Sequence, residues 1–280
     1  MKNILIPIDF KFNSYDGVDY LINFFQKESC NFYFLNTYTY NFDGLNALSI
    51  LQEDDDWFEK PKCNSEKILG YAIQKYTYEN LNKKHKFYAI SESIDLIEGI
   101  KKTIEKLDID LVAIARKKAL KDEIKRYSKN TKHIIEHIRE CPVMIIPKSA
   151  KLQENPEFVL ISSFEIELPK TKLENWYEFV KIANGSIKIV ILSNKNKMTQ
   201  FQKGNLKQVR LRIEKLFEIP VILEYLETAN DLRGFAQYHI DHIICLIDRK
   251  PDFWRKFGLT KSQITNLGPL KNTPLFALHH

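Results

Sequence analysis

The sequence predicts an α/β protein of two tandem domains, each built on a parallel, doubly wound sheet. Three observations carry this. Short apolar runs alternate with amphipathic stretches of helical period along the whole chain. The alternation restarts after a polar stretch, "PKSAKLQENPE", with a proline at each end. The two halves also match in spacing: 32 positions separate Asp110 from Pro142, and 32 separate His242 from Pro274.

The first copy opens on a buried strand, "NILIPID". A helix follows, with Val18, Leu21, Ile22 and Phe25 at helical spacing. Next come the strand "NFYFLNTY", a helix from about Ser65 to Leu81, and the strand "KFYAIS". A helix from Asp95 to about Leu107, the strand "DLVAIA", a helix from about Lys129 to Arg139 and the strand "PVMIIP" complete the copy. The second copy runs strand "FVLISS", helix "KLENWYEFVKIA", strand "IKIVILS", and a helix containing "QVRLRIEKLF". It continues with strand "PVILEYL", helix "NDLRGFAQY", strand "HIICLID", helix "TKSQITNL" and strand "TPLFALH". Strands alternating with helices imply right-handed parallel crossovers.

The first copy is longer by about 23 residues, placed between Tyr38 and Asn64. A repeat of this length is a duplicated domain and not a solenoid unit. The expected domains are residues 1–148 and 156–280.

Hydrophobic content of 44% and charged content of 28% fit a globular protein. The net charge of +6 permits an anionic partner without demanding one. No stretch reaches the roughly 18 apolar residues of a membrane span. The start, "MKNILIPIDF", meets a proline and an aspartate too soon for a signal peptide. The four cysteines, Cys30, Cys63, Cys141 and Cys245, form no CxxC pair, so neither a zinc site nor a disulfide framework is suggested. The expected compartment is a reducing cytoplasm.

"NILIPIDF", together with "IDLVAIA" and "CPVMIIP", resembles the universal stress protein family; "HIICLIDRK" and "TPLFALH" repeat the frame. The resemblance spans nearly the whole chain as two tandem domains. It implies flavodoxin-like (adenine nucleotide alpha hydrolase-like) domains, each a five-stranded parallel sheet with helices on both faces. It also implies an intramolecular pseudo-dimer made by the fifth strands, here about residues 142–147 and 273–279; pairing them would satisfy otherwise exposed backbone groups. Many members bind ATP or AMP at the carboxyl ends of the strands, in keeping with the rule for open α/β sheets.

The family's site maps onto Asp9 as the nucleoside aspartate and Thr37 as the base-lining residue. Its phosphate glycines, in the pattern G-x2-G-x9-G-[ST], fall on Lys118, Lys121 and Ser128, and its hydroxyl on Lys129. With Ala115, these residues make a degenerate nucleotide site. In the second copy the aspartate position is Phe164, and the glycine positions are Lys250, Phe253 and Thr260. Glycine gives such a loop positive φ and close backbone approach, and a lysine side chain supplies charge without that geometry. The basic run "ARKKALKDEIKRYSKNT" is therefore expected to be solvated surface. Tyr127 is its only aromatic, which argues against a nucleic-acid stripe.

Other motifs read as scaffold. "HIIEH", His133 to His137, matches the inverted zinc-protease pattern but sits on the short helix before the fifth strand, with no downstream carboxylate helix. "HIDH", residues 239–242, reads as the solvent end of a strand. The run Asp54, Asp55, Asp56 lacks EF-hand spacing and reads as a solvated loop. Trp57 and Phe58 read as intramolecular packing. Ser128 and Ser162 have no base partner, and Cys141 reads as a small core residue.

The function so expected is binding or protein interaction in a stress response, with no catalysis, no metal and no cofactor. One alternative is ATP or AMP binding, or slow ATP hydrolysis, in the first domain. Another is an adaptor for an anionic macromolecule. A further homodimer of the pseudo-dimer is left open.

Overall fold

A computed structural model describes residues 1–8, 15–40, 55–116, 127–218, 220–238, 241–248 and 267–279. By packing, the chain forms two compact units. One is Met1–Asn13 with Lys27–Ala113, and the other is Ser14–Gln26 with Ile114–His280. The linker between the sequence repeats lies inside the second unit.

The first unit holds β1 (Lys2–Pro7), β2 (Cys30–Thr37) and β3 (Lys86–Glu92). It also holds most of β4 (Leu111–Ala115). The strands run β3-β2-β1-β4, all parallel, with Ile4 opposite Phe32 and Leu111. The apolar runs of β1 and β2 are buried, as expected of strands covered on both faces, among them Ile4, Leu5, Phe32 and Phe34. Among the described residues, the helices of this unit that pack on the sheet are α2 (Asp55–Glu79) and α3 (Leu96–Leu107). Asp95 caps α3, accepting the Ile97 N–H at 2.8 Å, and Asp108 ends it in the left-handed region at φ 46°.

Helix α2 starts ten residues before the predicted Ser65. It takes in Asp55 and Asp56, expected as loop, together with Trp57 and Phe58, and it runs through Pro61. Proline costs a helix one backbone hydrogen bond and some straightness. Here the helix continues because its later turns bury Leu69, Ala72 and Tyr76 against β2 and β3. Tyr76 stacks on Phe34 and Phe87. Asp54 lies outside the described residues.

The second unit contains α1 (Asp16–Phe24), α4 (Lys129–His137) and β5 (Val143–Ile146) from the first copy. From the second copy it contains β6 (Glu157–Ser162), α5 (Lys170–Ile182), β7 (Ser186–Leu192) and α6 (Gln200–Phe217). β8 (Ile222–Leu226), α7 (Ala229–Tyr238), β9 (His242–Asp248) and β10 (Leu275–His279) follow. The strands of the second copy run β8-β7-β6-β9-β10, and all their pairings are parallel. The order reverses between β6 and β9, which is the topological switch point of a doubly wound sheet. The predicted helix "TKSQITNL" lies outside the described residues but for its last position.

β5 and β10 pair antiparallel, with Leu275 opposite Ile145, Phe276 opposite Met144 and Ala277 opposite Val143. This is the expected junction of the two fifth strands, and it leaves neither as an open edge. An aromatic cluster backs it. Phe276 packs on Phe158 and Phe179, while Phe24 and Phe25 of α1 reach the same two rings. Trp176 is fully buried beside Phe158, and its indole N–H donates to the Cys245 Sγ at 2.9 Å.

Candidate functional site

The carboxyl end of β6 is where the sequence resemblance leads one to expect the second copy's counterpart of the nucleoside position. β6 stops at Ser162, whose Oγ accepts the Phe164 N–H at 3.0 Å. Phe164 sits at φ 55°, a left-handed conformation that costs a non-glycine residue about 1 kcal/mol or more. Its ring is only 1% exposed, so burial of a large aromatic side chain offsets that strain.

Helix α6 closes over this turn. Thr199 and Gln202 form a reciprocal capping box at its start. Gln202 then uses its Nε2 to donate to the Ser163 carbonyl at 2.9 Å, and the Asn205 Nδ2 donates to the Phe164 carbonyl at 3.0 Å. Gln202 and Asn205 are buried. A buried phenyl ring thus stands at the residue that the resemblance matched to the aspartate, and the polar groups around it are hydrogen-bonded within the protein. The sequence carries one hint of this, the T-x-x-Q box; the partners of Gln202 and Asn205 lie 39 and 41 positions away.

In the first copy, Asp9, Lys118 and Lys121 lie outside the described residues, as do Lys250, Phe253 and Thr260 of the second. Ile8, just before Asp9, is held at both ends: its N–H donates to the Leu35 carbonyl, and its carbonyl accepts from the buried Asn36 Nδ2 at 2.7 Å. Thr37 ends β2 beneath α3. A Cβ on Gly99 would come within 2.7 Å of the Thr37 Cγ2, so the helix depends on glycine to lie this close. Thr37 belongs to the first unit; Ala115, Ser128 and Lys129 belong to the second. Ala115 meets α1 in the same way, with a Cβ on Gly17 reaching 2.7 Å from its own Cβ. Ser128 caps α4, its Oγ accepting the Thr131 N–H at 3.2 Å, and Lys129 is exposed.

Two residues flanking the basic segment are structural, which the sequence reading missed. Arg116 is half-buried and donates from Nη1 to the Leu270 carbonyl at 2.8 Å. The Tyr127 hydroxyl donates to the Gly268 carbonyl at 3.0 Å. Burial lowers the Arg116 guanidinium and raises the Tyr127 phenol above its ordinary range. Ser149 extends the seam, bonding the Lys271 carbonyl and the Asn272 Oδ1, each at 2.7 Å.

His242, expected at a solvent end, is instead buried between the carboxylates of Glu157 (2.9 Å) and Asp241 (3.1 Å). Glu157 also meets Lys188, which meets Glu224 in turn, so a row of alternating charge crosses β6, β7 and β8, with His242 of β9 beside its Glu157 end. His133 and His137 share one side of α4, and the His137 Nδ1 is 2.9 Å from the His133 carbonyl. Among the described residues, no three metal-ligating side chains converge, and no helix is long and apolar enough to cross a membrane. Cys141 is buried, as expected, and Cys63 is exposed on α2.

No protein-family model matches the sequence, and no curated protein matches it. Solved structures do. A universal stress protein from Archaeoglobus fulgidus superposes with a TM-score of 0.71 at 14% identity, over 99% of this chain and 98% of that one. A putative universal stress protein from Pseudomonas aeruginosa gives 0.58 at 10% identity, over 100% and 93%. The cytoplasmic domain of a prokaryotic cation chloride cotransporter gives 0.52 at 13% identity, over 99% and 94%. The fold is an α/β arrangement of the universal stress protein kind. The likeness extends over 99% of this chain, and a tandem two-domain form is consistent with it.

Proposed function

We propose that this chain is a universal stress protein-like binding protein that acts through protein interaction, without a tight ATP site and without catalysis. The observation that carries the reading is Phe164. It is the residue that the resemblance matches to the family's aspartate; its ring is buried, and Gln202 and Asn205 bond the carbonyls of Ser163 and of Phe164 itself, which supports the reading. A site without a carboxylate has no charged acceptor for ribose hydroxyls. The replacement of glycine by Lys118, Lys121 and Ser128 in the first copy supports the same reading, since the side chains do not restore glycine's geometry. Ser128 moreover spends its oxygen on a helix cap. Fold alone does not choose a function, and the cotransporter domain shares this architecture.

The test is equilibrium titration of the purified chain with ATP and with AMP. No saturable binding below about millimolar concentration is expected. Micromolar affinity would overturn the reading. If that affinity also vanished in Asp9→Ala, the first copy would be the nucleotide site and the ATP- or AMP-binding alternative would stand.

A further inference from the structure

The sheet of the first unit ends on β3. Among the described residues, β3 pairs on one side only, with β2. Lys86, Tyr88 and Ala89 are exposed along it. An edge strand presents a row of backbone donors and acceptors that another strand can pair with.

Helix α2 lies beside this edge. Its residues Ser65, Leu69, Ala72 and Tyr76 are buried. The neighbouring stripe, Glu66, Gly70, Ile73 and Thr77, borders a trough between the helix and the edge strand. The trough measures about 790 Å³ where Gly70 and Ile73 face Ala89 and Ser91. It continues past Thr77 into a second depression of about 450 Å³ beside Lys83, Lys86 and Tyr88. A Cβ on Gly70 would meet nothing within 4 Å, so the floor is open there. The trough is apolar in the middle and charged at its ends, with Lys83 and Lys86 at one and Glu66 at the other. Tyr78, which lines it, is 82% exposed.

We infer that this trough takes an extended segment of a partner protein, which adds to β3 as a further strand. Recognition of this kind takes affinity from main-chain hydrogen bonds and specificity from pockets for alternate side chains. From Lys86 to Ser91 the edge accommodates roughly six residues at about 3.3 Å each. An apolar, β-branched side chain sits over Gly70 and Ile73, and Asp or Glu side chains meet Lys83 and Lys86.

A second copy of this chain fits less well. Antiparallel pairing of β3 with itself would bring two α2 helices together on one face of the joined sheet, with their exposed Tyr78 side chains between them. Parallel self-pairing would set Lys83 and Lys86 against their own counterparts, a like-charge contact that destabilises. A single strand meets neither obstacle.

This inference deepens the protein-interaction reading and rests on it. Nucleotide titration tests that reading and peptide selection tests the trough, so either can fail alone. The experiment pans a phage-displayed library of random dodecapeptides on the immobilised full chain, then measures synthetic copies of the enriched peptides by fluorescence polarisation. Enriched sequences are expected to combine β-branched residues with Asp or Glu. Gly70→Trp, which grows into open space and leaves the helix intact, should weaken them by at least about tenfold, as should Lys83→Glu with Lys86→Glu. Circular dichroism and thermal unfolding of each variant establish that the fold is kept. The inference is overturned by no enrichment over an unrelated control protein, by enrichment of basic peptides, or by binding insensitive to both variants. A dimer in light scattering that Gly70→Trp dissociates would assign the trough to a second copy and overturn it as well.

Discussion

The Asn205 side-chain amide donates to the backbone carbonyl of Phe164 at 3.0 Å, inside the protein, and so holds a left-handed aromatic residue at the end of β6. The bond and the ring act together. Asn205→Ala leaves a buried carbonyl without its donor and should cost about 1–3 kcal/mol. Phe164→Ala removes a ring that is 1% exposed and should cost about 3–5 kcal/mol. Urea unfolding of both variants checks this. A Phe164→Ala protein as stable as the parent would mean the ring does not hold the strand end.

Gly99 and Thr37 form a second close relationship, between α3 and β2. Gly99→Ala places a methyl 2.7 Å from the Thr37 Cγ2 and 3.1 Å from the Ile94 Cγ2, so it should destabilise by about 1–3 kcal/mol through overpacking. Thr37→Ser removes the nearer methyl. The double variant should therefore lose less than the sum of the two single losses, with a coupling of about 0.5 kcal/mol or more. Strict additivity in a denaturant cycle would count against the contact.

The flanks of the basic segment should respond differently from its exposed side chains. Tyr127→Phe deletes the bond to the Gly268 carbonyl and should cost about 1 kcal/mol. Lys129→Ala, on an exposed side chain, should stay within about 0.5 kcal/mol. Equal effects in thermal unfolding would refute the distinction drawn between anchor and surface.

Stability should decline at alkaline pH. Burial pushes the Cys30 thiol from its ordinary 9.0 up to about 12, and raises Cys245, Tyr20 and Tyr127 as well. Well below pH 9.0 the Cys30 thiol is protonated in both states and stability does not depend on it. Between pH 9.0 and about 12 the unfolded chain loses this proton first, so it binds fewer protons than the folded chain and stability falls as pH rises. Each such group contributes a slope of up to about 1.4 kcal/mol per pH unit. Cys30→Ala should flatten the stability curve between pH 9.5 and 11 by a measurable part of that amount. An unchanged slope in urea titrations would exclude Cys30 as a contributor.

Periodicity and spacing alone determined the alternating strands and helices and the duplication; the pairing of the two fifth strands was expected from the family resemblance, and its register came only from the structure. The alternation and the duplication are legible because burial imposes a repeat on neighbouring residues: Ile4, Phe32, Val159 and Leu246 are apolar for the same local reason. The altered phosphate pattern was legible too, since glycine's role depends on its own missing side chain. Only the tertiary structure decided the rest. It carried α2 through Pro61, buried His242 between two carboxylates, turned Arg116 and Tyr127 from surface residues into anchors, and set an open trough beside β3. Each of these depends on what lies opposite in space. Tyr127 finds its acceptor 141 positions away and Asn205 finds its own 41 away, and such pairings exist only once the chain has folded around them.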